Sequence, residues 1–171
     1  MKELFEKLNH TNEFSNGILI DTCFFIYLLE HSKEKELLKF AENNNVAITS
    51  FNVDEFLFKE HSVENDVREH ARRFLKKNSA LVVFDINVHP GNKDQEKSFV
   101  NSVEPDLLKE IPDPSDAVLM AAAILSHSSV LTKDKHHLFT TKLENYLNRY
   151  RLKVFKELHD VTGGDEQEQG R

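Results

Sequence analysis

Short apolar runs alternate with longer amphipathic stretches along this chain. Gly17–Asp21, Val46–Thr49, Ala80–Phe84, Ser129–Thr132 and Arg151–Glu157 each read as a strand. Helical periodicity fills the intervals. Leu4, Phe5 and Leu8 share one stripe of a short N-terminal helix, with Asn9–Asn16 as a loop. A helix is expected from about Cys23 to Glu30, and another over Lys33–Asn43, with Ser32 as its N-cap. Ser50 or Asn52 would cap a longer helical region reaching about Lys77 and broken near His61-Ser62; Phe56, Leu57, Val63, Val67, Ala71, Phe74 and Leu75 keep its period. Asp85–Lys93 contains Pro90-Gly91 and reads as loop. Beyond it come a short helix over Asp94–Val103, a turn or two in Pro105–Glu110, a helix over Asp116–Ser126 and a last helix over Leu138–Asn148.

Strands that alternate with helices predict an α/β fold: a three-layer α/β/α sandwich with a central parallel sheet of four to five strands. The expected organisation is a helical extension over residues 1–16, one domain over 17–160, and an acidic tail over 161–171 that lacks apolar anchors and reads as disordered. At 171 residues a single domain can bury about 70% of its unfolded surface.

In open α/β sheets, sites form outside the carboxyl ends of the strands. Four acids fall there. Asp21 ends the first strand and Asp134 follows the fourth, while Glu55 and Asp116 lie near helix N-termini that face the same edge. Carboxylates gathered at one point repel each other and need protons or metal to coexist. Without an accompanying Cys or His cluster, such a set favours Mg²⁺ or Mn²⁺ over zinc. Phosphodiester hydrolysis is the chemistry that most naturally uses it. Thr22 and Thr132 bring hydroxyls beside two of the acids, suited to a phosphate oxygen or a water, and Lys133 and Lys135 flank Asp134 within reach of phosphate.

Other polar residues read more simply. Asp54 should point away from the site, Asp113 between two prolines is a loop residue, and the basic run Arg68–Lys77 could grip an RNA backbone but reads first as a solvated helix face. His136 and His137 are adjacent and diverge in direction, so they cannot easily serve one site. The 13 Phe, set against 3 Tyr and no Trp, read as core rather than as base-stacking platforms, because most fall inside apolar runs. The lone Cys23 excludes an internal disulfide and any multi-cysteine metal site, suits a reducing compartment, and reads as a small buried core residue. Met1–Phe14 has no secretory apolar region and no run is long enough to span a membrane, so a cytoplasmic protein is expected. The net charge of −7 argues mildly against nucleic-acid binding, but the four clustered acids and the tail supply much of it.

The segments Ile20-Asp21-Thr22, Thr49-Ser50 followed by Glu55, Asp116-Ala117 opening an Ala-rich helix, and Leu131-Thr132-Lys133-Asp134 together resemble the PIN domain, and within it the VapC-type toxin ribonucleases. The resemblance covers about Gly17 to Phe155. It implies a metal-dependent endoribonuclease with Asp21, Glu55, Asp116 and Asp134 as its acids and Thr132 as its hydroxyl. It further implies RNA as substrate, 5′-phosphate and 3′-hydroxyl products, frequent homodimers and, for a toxin, a neutralising antitoxin. In this reading Asp21, Asp116 and Asp134 hold the metal, and Glu55 joins them or orients the attacking water. The alternative is a PIN-like module that binds RNA or protein without cutting. Phosphatase, phospho-acceptor and nucleotide-binding readings lack their motifs: Cys23 stands where a second Asp would be needed, and neither Gly-rich phosphate loop occurs.

Overall fold

The computed structural model describes residues 1–133 and 141–161. In chain order these form α1 (Lys2–Glu6), β1 (His10–Thr11), β2 (Ile18–Ile20), α2 (Thr22–Glu30), α3 (Glu34–Asn43), β3 (Val46–Thr49), α4 (Ser50–Lys59), a 3₁₀ turn (Glu60–Ser62), α5 (Asn65–Lys77), β4 (Val82–Phe84), α6 (Lys93–Val103), α7 (Leu107–Glu110), α8 (Pro114–Ser126), β5 (Ser129–Leu131), α9 (Thr141–Asn148) and β6 (Val154–Phe155). All strands are parallel, in the order β1-β4-β3-β2-β5-β6. The expected α/β fold is therefore present, with six strands rather than four to five. The addition is β1, two residues from the segment expected to be loop, which pairs His10 with Val83 and Thr11 with Phe84.

The sheet is covered on both faces, which is why its strands read as unbroken apolar runs. Side chains alternate strictly. Ile18, Ile20, Val46, Ile48, Val83 and Leu131 pack into one core with α1, α2, α3 and α5. Leu19, Ala47, Phe84 and Val130 pack into the other, with α6, α7, α8 and α9. Register reinforces this: Ile18 pairs with Val46 and Leu19 with Ala47, so residues of one face sit side by side. In the first core Phe5, Phe25, Phe56 and Phe74 stack edge to face, with centroids 5.3–6.5 Å apart. Burying Phe5 contributes about 2–3 kcal/mol, which fastens α1 to the domain. Gly17 lets β2 reach β3: a Cβ there would lie 2.4 Å from Phe14 Cζ and 2.5 Å from the Asn45 carbonyl oxygen.

At three helix starts the capping differs from expectation. Glu34, not Lys33, opens α3, and Ser32 sits in a left-handed turn at φ 54° instead of capping. Thr49 caps α4 by accepting the Asn52 amide N–H, which frees Ser50 and Asn52 for other bonds. Asp113 caps α8 by accepting from Ser115 N, with Pro114 at the first helical position. Asp113 is thus a cap rather than a simple loop residue. The fifth expected strand shortens to Val154–Phe155. Residues 134–140 and 162–171 lie outside the described residues, among them Asp134, Lys135, His136, His137 and most of the expected acidic tail. Among the described residues no helix is long and apolar enough to cross a membrane.

Candidate active site at the carboxyl edge of the sheet

The turn from β2 into α2 places Asp21. Its backbone N–H donates to the Leu131 carbonyl at 2.9 Å, and its extended conformation (φ −73°, ψ 150°) puts it at the N-cap of α2. Its carboxylate makes no capping bond. It faces sideways across the sheet edge instead, where Oδ2 accepts from Thr132 Oγ1 at 2.7 Å and from Cys23 Sγ at 2.9 Å. An acid that served only its helix would turn back to the first N–H groups. Asp21 is held toward its neighbours across the edge.

Glu55 lies on α4, in its second turn rather than at its opening. Its Oε1 accepts from Asn52 Nδ2 at 2.9 Å and from Thr22 Oγ1 at 3.3 Å. Asn52 Nδ2 also lies 3.0 Å from Thr22 Oγ1 and 3.4 Å from Asp21 Oδ1. One buried amide therefore reaches both acids. Its orientation is fixed by Thr49 Oγ1, which donates to Asn52 Oδ1 at 2.7 Å and so turns the NH₂ group outward to the carboxylates. Asn52 is 2% exposed.

The electrostatics follow from this crowding. Burial, and then the charge of Asp21, push the Glu55 carboxyl up from its ordinary 4.5 to about 7, against the pull of Lys59, Asn52 and Thr22. Burial and Asp21 likewise push the Cys23 thiol up to about 12. Cys23 is half-buried at the site rather than a core residue, and as a neutral S–H it donates to Asp21.

Asp116 occupies the first turn of α8, whose Ala117 and Val118 pack against the sheet through Leu19 and Ala47. Because α8 leads back into the parallel strand β5, its first turn lies at the same carboxyl edge. Lys93 of α6 is anchored beside it: its Nζ donates to Asp113 Oδ1 and Ser115 Oγ, both at 3.0 Å, and it feels the charge of Asp116. Ser115 Oγ in turn donates to Glu96 Oε1 at 2.5 Å, and Glu96 is fully buried.

Of the residues singled out in the sequence, Asp21, Thr22, Glu55 and Thr132 join one hydrogen-bonded network, and Asp116 stands at the same edge. Lys133 is placed differently. Its Nζ pairs with Glu157 and lies 4.1 Å from the centroid of the Tyr27 ring, and that pairing draws the Glu157 carboxyl below its ordinary range. Asp54 points away as expected, meeting His89 Nδ1 at 3.1 Å. The basic run on α5 is engaged locally, Arg72 with Glu69 and Arg73 with Glu34. Asn52 and Glu96 were missed. Asn52 read as a helix cap, and its one visible signal is its three-residue spacing from Thr49. Glu96 sits in a polar stretch that gives no sign of burial.

Asp21 and Glu55 present hard oxygens beside Thr22 and Thr132 hydroxyls, a donor set that fits a hard divalent cation. Among the described residues no three His, Cys, Asp or Glu side chains converge closely enough to hold an ion by themselves.

An all-parallel α/β sandwich with carboxylates and hydroxyls joined at the carboxyl edge of its sheet defines an α/β protein whose site lies at that edge. The sequence model of the PIN domain matches residues 18–141, and the chain belongs to the PIN domain family. Among solved structures, the chain is similar to VapBC2 from Rickettsia felis bound to a DNA fragment from their promoter, with TM-score 0.51, 16% identity, and coverage of 81% of this chain and 98% of that one. It is also similar to PAE2754 from Pyrobaculum aerophilum, with TM-score 0.47, 19% identity, and the same 81% and 98% coverage. Among curated proteins, none matches.

Proposed function

We propose that this protein is a divalent-metal-dependent endoribonuclease whose acids are Asp21, Glu55, Asp116 and Asp134. The observation that carries the reading is the pairing of Asp21 and Glu55 through Asn52, with Glu55 pushed up to about 7. Two acids kept this close, at a cost to the folded chain, support a cation site, because a bound cation would remove their repulsion. PIN domains are typically nucleases and generally use divalent metals, which supports the same reading.

Asp21, Asp116 and Asp134 would hold Mg²⁺ or Mn²⁺, with Glu55 joining them or orienting the attacking water. The ion, when bound, polarises the scissile phosphate and lowers the pKa of water. The chain's own groups do the rest. Thr132 and Cys23 fix one Asp21 oxygen in place, and Asn52 keeps Asp21 and Glu55 apart at a set distance. Glu55, if outside the metal shell, is placed beside Asp21 to orient the water that attacks phosphorus in line. Lys135 beside Asp134 is suited to a phosphate oxygen, and Lys133 would serve the same role on releasing Glu157.

The reading extends to a toxin neutralised by an antitoxin, to homodimers and to a cytoplasmic location. The resemblance to VapC-type toxins and the likeness of fold to VapBC2 support the first of these.

The test is RNA cleavage by the purified chain with Mn²⁺, with chelator, and with the Asp21→Asn variant. Cleavage is expected with Mn²⁺ alone, at least a hundredfold slower in the variant. Persistence in chelator refutes the metal requirement. Binding of RNA without cleavage under any metal favours the non-cutting module.

A further inference from the structure

We propose that Phe58 is a stacking platform for an unpaired nucleobase next to the acidic site, with Lys59 beside it to meet the adjoining phosphate. The inference rests on the ribonuclease reading and names how that site grips its substrate. Phe58 is 75% exposed. Among the described residues the only other exposed large apolar side chain is Leu125, near the end of α8 remote from Asp116. Every other described Phe is buried in a core cluster or packed against one, so among the described residues phenylalanine faces inward except here.

The helix fixes where the ring stands. Phe58 follows Glu55 by three residues and Lys59 by four, so both flank Glu55 on the surface of α4. Phe58 also follows Phe51 by seven residues and therefore lies on the same stripe, about 10 Å further along the axis. Phe51 is buried with Ala117 and Val118 of α8. The stripe that is buried at Phe51 thus carries Phe58 outward further along the helix, on the surface between Asp54 and Glu55. Lys59 is close enough to Glu55 for its charge to pull on that carboxyl.

The surroundings decide the ligand. A protein-docking patch is a contiguous apolar area. The positions three and four residues from Phe58 are instead Asp54, Glu55, His61 and Ser62, with Lys59 next in the chain. A single ring face beside a cation matches a nucleotide, whose base stacks while its phosphate pairs. Bases in a duplex already stack on each other, so the platform selects single-stranded RNA.

The chain has no Trp, so Phe58→Trp supplies a lone tryptophan at the proposed contact, excited apart from the three Tyr at the red edge of the absorption band. In an Asp21→Asn background, adding an unstructured RNA oligonucleotide should quench that fluorescence, and a blunt duplex of the same sequence should not. In the cleavage assay Phe58→Ala should raise KM for unstructured RNA about tenfold or more with kcat little changed, and Phe58→Tyr should restore it. Equal response to single strand and duplex, absence of quenching, or an unchanged KM in Phe58→Ala would each overturn the proposal; an unchanged KM is also what a protein-docking ring would give. If the parent chain cuts no RNA yet single strands quench the variant, the stacking site stands and the nuclease reading falls.

Discussion

Replacing Glu55 by Gln should stabilise the metal-free protein, and only above a definite pH. In the folded chain the carboxyl is pushed from 4.5 to about 7 by burial and by Asp21. At 1.36 kcal/mol per pH unit that displacement corresponds to about 3 kcal/mol at most. The sign follows from proton counting. Below pH 4.5 both folded and unfolded chains carry the proton and nothing is lost. Between 4.5 and 7 the unfolded chain gives it up first, so stability falls as pH rises. Above 7 the folded chain also ionises, and the full cost of a second buried charge beside Asp21 is present. Gln keeps the oxygen that accepts from Asn52 Nδ2 and Thr22 Oγ1 and carries no charge. In chelator, the variant should therefore match the parent near pH 4.5 and exceed it by about 1–3 kcal/mol at pH 8, or roughly 2–10 °C in Tm for a chain of this size. Thermal melts monitored by circular dichroism across pH 4.5–8.5 measure this. Adding Mn²⁺ at pH 8 should raise the Tm of the parent more than that of the variant, because a cation removes the same repulsion. A variant that is less stable at pH 8, or shifted equally at pH 4.5 and 8, would refute the argument that Glu55 is held against its own charge.

Three further outcomes are expected. Cys23, with its thiol held at about 12, should react with Ellman's reagent at pH 8 at least about a hundredfold more slowly than a free thiol, and at the ordinary rate once unfolded in denaturant; rapid labelling of the native protein would contradict its bond to Asp21. Asn52→Ala removes the amide that reaches both acids and leaves Thr49 Oγ1 without its acceptor, so chemical denaturation should show a loss of about 2–3 kcal/mol, with RNA cleavage falling as well. Gly17→Ala forces a methyl group against Phe14 and the Asn45 carbonyl, and because that carbonyl accepts the Ile18 N–H it cannot move aside; a loss of about 1–3 kcal/mol is expected in the same measurement.

The sheet was legible because its strands are buried on both faces. Leu19, Ala47 and Val130 face one helical layer and Ile18, Val46 and Leu131 the other, so the middle of each strand reads as an apolar run. β1 escaped because His10 and Thr11 are polar and too few for a period to show; partnership with Val83 and Phe84 makes them a strand, not their own preference. Asp21 was legible for the same reason as β2: an acid directly after an apolar run has few explanations. Glu55 was harder, since Asp54 stands beside it and either suits a helix start. Successive residues on a helix diverge by about 100°, and tertiary contacts resolve the pair, Asp54 going to His89 and Glu55 to Asn52.

Asn52 shows why the middle of the site was hidden while its acids were not. A carboxylate announces itself by charge, whereas an amide at a helix start looks like an ordinary cap. What makes Asn52 more than a cap is the removal of its oxygen from play. Thr49 occupies that oxygen, so the amide faces the acids only as a donor. A donor of fixed orientation between Asp21 and Glu55 offsets part of their repulsion without neutralising it, and it needs no charge that would compete with a cation. Aspartate at position 52 would have the same shape but would add a third negative charge and remove the donor. The arrangement therefore depends on Thr49 and Asn52 as a unit: the residue that caps α4 also fixes the amide that sets the two carboxylates relative to one another.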